Sequence, residues 1–132
     1  MGDQKVKITL SGKVFTGQGE GRLYVGRPWV KHEIEEKLGF TPYAGTLNLK
    51  LSAESVPQRK VLEERADMRV CAAEGCCSGL LLKAQIDKLE CGVVIPEVED
   101  YPQDVLEIIA WTYLREKLKL QDDDEVTVKV TV

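Results

Sequence analysis

Three stretches of this chain alternate apolar and polar residues with a period of two. They are "KVKITLSGKVFT" at 5–16, "GTLNLKL" at 45–51 and "EVTVKVTV" at 125–132. Side chains on a strand point alternately to opposite faces, so each stretch reads as a strand with one buried and one wet face. Gly12 is the place where the first would bend. Shorter strand-like runs lie between them: "MRVCAA" at 68–73, "CCSGLLLKAQI" at 76–86, "CGVVIP" at 91–96 and "VLEIIAW" at 105–111. Glu74 and Gly75 fit a hairpin turn between the first two runs. Pro96 closes the third.

Helical signals are few. "PWVKHEIEEKLG" at 28–39 has Pro28 in its first turn, Gly39 as its C-cap, and Val30, Ile34 and Leu38 four apart on one stripe. "TYLREKLKL" at 112–120 reads as a second short helix. Residues 52–66 are polar and irregular in pattern, though "QRKVLEERA" has room for a turn of helix. Many strands, two short helices and no strand–helix–strand rhythm predict a mainly β fold, a small β-barrel with short helices appended. A length of 132 residues suits one domain, residues 1–132, with its own core.

Composition narrows the function classes. Hydrophobic residues make up 43% and charged residues 30%, the balance of a folded soluble chain. No apolar run approaches the roughly 20 residues needed to span a bilayer, and "MGDQKVKITL" lacks the apolar core of a signal peptide. The expectation is a cytoplasmic protein with no membrane partner. A net charge of −4 and a pI near 5.1 argue against nucleic acid as a partner, while leaving room for a local phosphate site. Cys71, Cys76, Cys77 and Cys91 form no C-x-x-C pair, and the single histidine, His32, is distant in sequence. Reduced thiols are expected in place of disulfides or zinc.

Several stretches carry residues suited to chemistry. "GQGEGR" at 17–22 has glycines at 17, 19 and 21, which allow backbone N–H groups to approach a phosphate, with Arg22 adding charge. It lacks the Gly-Lys-Ser/Thr of a P-loop and the setting of a dinucleotide fingerprint, and a plain hairpin loop fits it equally. In "GTLNLKL", Thr46 and Asn48 offer two hard, neutral oxygens on one face, on the order of 7 Å apart along the strand. Such a pair suits Mg2+, which completes its shell with water and phosphates. A simply solvated face is the alternative. Glu107 interrupts an apolar strand, so it faces a pocket, pairs with a cation or lies at a sheet edge. "YLREKLKL" is compatible with an amphipathic helix packing Tyr113, Leu114 and Leu118, or with a helix start that receives a polar ligand. Trp111 and Tyr43 are either core or stacking surfaces for a planar ring.

The order of these pieces is more specific than any one of them. A first strand enters "GQGEGR". A helix leads to "LGFTPYAGTLNLKL". Then come "GVVIP", "LEIIA" and "LREKLKLQDDDEVTV". In this order, over residues 8–131, the chain resembles the archaeal CTP-dependent riboflavin kinases. The resemblance implies a six-stranded cradle-loop (RIFT-type) β-barrel. It also implies transfer of the γ-phosphate of CTP to the 5′-hydroxyl of riboflavin, giving FMN and CDP with Mg2+ as cofactor. Gly17, Gln18, Gly19, Glu20, Gly21 and Arg22, together with Thr112, Tyr113, Leu114 and Arg115, would bind the nucleotide. Thr46 and Asn48 would ligate the metal. Glu107 would contact the flavin and is the candidate general base, and a monomer is expected.

The chain departs from that family's pattern in three places. Glu99 stands where a flavin-contacting Thr or Ser is usual, and is carried as the flavin-side residue. "QDDDE" replaces an Asp-Gly turn, a change expected to touch only the hairpin. Trp111 replaces the proline of an "AP" step. A non-catalytic cradle-loop barrel that binds flavin or nucleic acid is the alternative class.

Overall fold

The computed structural model describes residues 6–17, 27–70, 79–97 and 99–132. Among these residues, seven strands form one antiparallel sheet: β1 (Lys7–Phe15), β2 (Leu47–Leu51), β3 (Met68–Val70), β4 (Gly79–Ile86), β5 (Leu89–Pro96), β6 (Val105–Ile109) and β7 (Glu125–Thr131). Six of them run in the order β4-β5-β6-β2-β1-β7, and β7 pairs back onto β4 to close a barrel. Closure removes the open sheet edges that isolated strands present. Strand β4 is long enough to share one edge between two partners. Its residues 79–81 pair with β3 and residues 83–85 with β7.

Alternation sets the barrel interior. Leu10 and Val14 of β1, Leu47, Leu49 and Leu51 of β2, and Val126, Val128 and Val130 of β7 are all buried in one core. The continuous apolar runs of β4 and β5 have a different cause. Leu80, Leu82, Val93 and Ile95 face the barrel core, while Leu81 and Val94 belong to a second cluster on the outer side. Helix α1 (Pro28–Leu38) covers that outer cluster with Val30 and Ile34, which explains why both faces of these strands are apolar. Gly39 ends α1 in the left-handed region at φ 84°, and its N–H caps the carbonyl of Glu35.

Two helices differ from their sequence-based readings. Residues 56–65, expected to be irregular, form α2 (Val56–Arg65), a helix of ten residues with Pro57 in its first turn. Its buried residues are Arg59 and Leu62, and Leu62 enters the barrel core. The stretch at 112–120 contains only one helical turn, α3 (Leu114–Lys117). A dipole this short adds little to the attraction of an anion. The other strands match their expected positions, with β5 starting two residues earlier, at Leu89. The expected turn at Glu74 and Gly75 lies outside the described residues, as do Cys71, Cys76 and Cys77. Among the described residues no helix is long and apolar enough to cross a membrane.

Candidate active site

Strand β2 has neighbours on both sides, and Asn48 lies directly between them. It is opposite Phe15 of β1 and opposite Glu107 of β6. Leu47 and Leu49 point into the barrel, so Asn48 is on the outer wall, with Phe15 and Glu107 as its cross-strand neighbours. Thr46, two residues earlier, donates its hydroxyl hydrogen to Asn48 Oδ1 at 3.1 Å. Glu107 is therefore not at a sheet edge. It is half-buried in a closed wall, and the Tyr101 hydroxyl donates to its Oε2.

Over this wall lies a cleft of about 780 Å³. Gly17, Tyr43, Thr46, Asn48, Tyr101 and Glu107 line it, together with the segment Thr112–Arg115. Gly17 packs so closely on the Asn48 amide that a Cβ there would clash with Nδ2. The start of the glycine-rich loop thus lies against a candidate metal ligand. On the β1 side, Arg115 donates to Thr16 Oγ1 at 3.0 Å and to Asp122 Oδ1 at 2.8 Å. The Thr16 hydroxyl and the Arg115 guanidinium together hold Asp122 below the usual carboxylate range. "QDDDE" therefore reaches beyond its hairpin, contrary to expectation, because Asp122 orders a cleft residue. Tyr43 and Tyr113 stack with ring centroids 5.2 Å apart, both half-exposed, so Tyr113 is not core as a packed helix would have required. Trp111 is also exposed, with Lys117 over its ring.

Among the residues expected from sequence, Gly17, Thr46, Asn48, Glu107, Thr112, Tyr113, Leu114 and Arg115 converge on this cleft. Gln18, Gly19, Glu20, Gly21 and Arg22 lie outside the described residues. Glu99 does not reach the cleft. It is exposed in the loop before β6 and lines a separate cavity of about 320 Å³ with Arg59, Arg69 and Glu97. Lys50, on the wet face of β2, pairs with Asp104 at 2.9 Å. Sequence reasoning missed Thr16, Tyr101 and Asp122. None carries a motif: Thr16 meets Arg115 and Asp122 about a hundred positions away, while Tyr101 and Asp122 sit in irregular segments six and seven residues from their partners Glu107 and Arg115.

The donor set can be tested against a hard divalent cation. No group of three or more His, Cys, Asp or Glu side chains able to hold a metal occurs among the described residues. What the wall offers is a hydroxyl and an amide oxygen already aligned by a hydrogen bond. Asn48 Oδ1 keeps a second lone pair, and the Thr46 oxygen donates without spending its own. Neutral oxygens in small number fit Mg2+, which usually keeps several waters and takes phosphate oxygens from its substrate.

A closed barrel with a polar cleft on its outer wall, lined by a hydroxyl and an amide oxygen, a carboxylate and stacked aromatic rings, has the architecture of a small-molecule-binding protein. A family model for CTP-dependent riboflavin kinases, described as a domain of unknown function, DUF120, matches residues 14–130. The chain belongs to that family. It is 41% identical to the riboflavin kinase of Pyrobaculum aerophilum over 130 residues, covering 93% of this chain and 60% of that protein. The riboflavin kinase of Archaeoglobus fulgidus is 39% identical over 132 residues, covering 97% and 57%. That of Methanosarcina barkeri is 41% identical over 130 residues, covering 93% and 56%. The chain therefore spans less than two thirds of the length of these relatives.

Proposed function

We propose that this chain is a single kinase domain that transfers the γ-phosphate of CTP to the 5′-hydroxyl of riboflavin, releasing FMN and CDP. The observation that carries this reading is the position of Asn48. It touches the start of the glycine-rich loop on one side and faces Glu107 on the other. Nucleotide, cation and acceptor alcohol would then meet at one residue.

Phosphoryl transfer needs alignment and charge neutralisation more than a covalent protein intermediate. Thr46 and Asn48 are the residues that would hold Mg2+, whose charge would offset that of the phosphates. Gly17 to Arg22 and Thr112 to Arg115 are assigned to the nucleotide. The Tyr43–Tyr113 stack offers a flat, half-exposed surface for a planar ring. Glu107 is assigned to the acceptor side, where its carboxylate takes the proton of the 5′-hydroxyl as the new bond forms. Glu99, which lines the neighbouring smaller cavity and not this cleft, is left with no assigned flavin contact.

The large exposed apolar side chains among the described residues are Val6, Tyr43, Trp111 and Tyr113. Tyr43 and Tyr113 line the cleft, and Val6 and Trp111 lie apart in sequence, so the described residues give no broad apolar face to bury against another subunit, which favours a monomer. The acidic charge balance favours a chain that binds neither nucleic acid nor membrane, and we place it in the cytoplasm.

The test is direct. The protein is incubated with riboflavin, Mg2+ and each of CTP, ATP, GTP and UTP, and FMN is measured. FMN with CTP alone is expected. Folded protein that makes none with any nucleotide would overturn the reading. Asn48→Leu should lower turnover by about a hundredfold or more, with an unchanged circular dichroism spectrum. Parent-like activity would remove Asn48 from the site.

A further inference from the structure

A carboxylate that receives a proton from an alcohol must be held in place, because catalytic efficiency falls steeply with misplacement. The backbone of β6 fixes the Cα of Glu107, but its side chain still has three rotatable bonds. One of its oxygens is fixed by the hydroxyl of Tyr101. Tyr101 itself lies in the loop between β5 and β6, outside any regular element. It therefore needs an anchor of its own.

That anchor is Arg59 of α2. Its guanidinium lies 5.5 Å from the centre of the Tyr101 ring, and the residue is only 1% exposed. A buried charge is costly unless paired. Arg59 is paired twice: Nε donates to the carbonyl of Val105 at 2.8 Å, and its terminal nitrogen donates to Glu63 Oε1 at 2.8 Å. Val105 begins β6, two residues before Glu107. Helix, loop and strand thus close a ring of contacts from Arg59 to Tyr101, to Glu107, and back through β6 to Arg59. Tyr101 is also the residue that lines both the main cleft and the smaller cavity beside Arg59.

We propose that Tyr101, seated on Arg59, is a positioning residue for Glu107, holding the carboxylate towards the acceptor alcohol. This rests on the assignment of Glu107 to the acceptor side. It gives α2 a role in turnover although none of the helix's residues lines the main cleft.

Tyr101→Phe keeps the ring and its stack on Arg59 and removes only the hydroxyl. With riboflavin and CTP, kcat should fall about tenfold while the riboflavin KM stays within about twofold and the melting temperature is unchanged. A merely structural role would move the melting temperature instead. Combined with Glu107→Gln, the double variant should be no slower than Glu107→Gln alone, since Tyr101 acts through that carboxylate. Tyr101→Phe with parent-like kcat beside a slow Glu107→Gln overturns the proposal and spares the acceptor assignment. Losses that multiply in the double variant overturn it as well. A parent-like Glu107→Gln removes the acceptor assignment and the proposal together. If Tyr101→Phe gives no folded protein, Arg59→Lys keeps the charge but loses the planar stack. It should then lower kcat with the riboflavin KM held, and parent-like kcat overturns the proposal.

Discussion

Arg115 enters the cleft with its charge already shared. Thr16 and Asp122 both take hydrogen bonds from its guanidinium, and the Thr16 hydroxyl also donates to Asp122. Asp122 is more acidic in the folded chain than its ordinary value of 3.8, first through Thr16 and then through Arg115. A depressed carboxylate stabilises the fold at pH values above its unfolded pKa, and that contribution is lost as pH falls through the folded one. Asp122→Asn should therefore be slightly less stable than the parent at pH 7. The difference in melting temperature should shrink as pH falls below 3.8 and Asp122 takes up its proton. A gap that persists in acid would mean that Asp122 acts by packing and not by charge. The effect is small because the pair is exposed to solvent. From sequence, Asp122 was legible only as a turn residue. Thr46, Asn48 and Glu107 were legible because alternation places each on a definite strand face. No local pattern says that Thr16 and Asp122, 106 positions apart, hydrogen-bond.

Strands were easier to read than helices here, and α2 shows why. Amphipathic helices announce themselves by an apolar stripe at spacings of three and four. In α2 the central position of that stripe is Arg59, between Val56 and Leu62. A charged residue at a core position looks like a break in the pattern. It is tolerated only because Val105, Glu63 and Tyr101 meet it, and none of these is visible from the helix sequence alone except Glu63, four residues on. Helix α1 was legible for the opposite reason, since Val30, Ile34, Pro28 and Gly39 all obey local rules. Leu62 carries the apolar attachment of α2 to the barrel and is fully buried. Leu62→Ala should destabilise the fold by about 2–4 kcal/mol, read from urea unfolding. Less than about 1 kcal/mol would show that the Arg59 contacts, and not Leu62, hold the helix.

The whole barrel depends on a pairing between β4 and the last strand, β7. Patterning marked seven strand-like runs, and the six-stranded barrel came only with the family resemblance; the closing register, Ala84 opposite Val130, was in neither. Closure gives an interior with no edge at which the barrel can fray, so its centre should open only when the whole barrel opens. Cys91 is a natural probe of this. It is a free, buried thiol on β5, within the barrel core and opposite Ala84. Burial pushes its thiol up to about 12, so it stays protonated and unreactive in the folded chain at neutral and mildly alkaline pH. In a variant with Cys71, Cys76 and Cys77 changed to Ser, a thiol reagent at pH 8 should label Cys91 only through unfolding. The labelling rate should then rise with urea along the same slope as global unfolding. A rate independent of urea, or one within about tenfold of a free thiol, would mean that β5 opens locally and that the barrel is not one cooperative unit. The raised thiol also lowers stability in alkali. Between about pH 9 and 12 the unfolded chain ionises at Cys91 and the folded chain does not, so stability should decline across that window. Cys91→Ala should flatten the decline, and an unchanged slope would assign the loss to other groups.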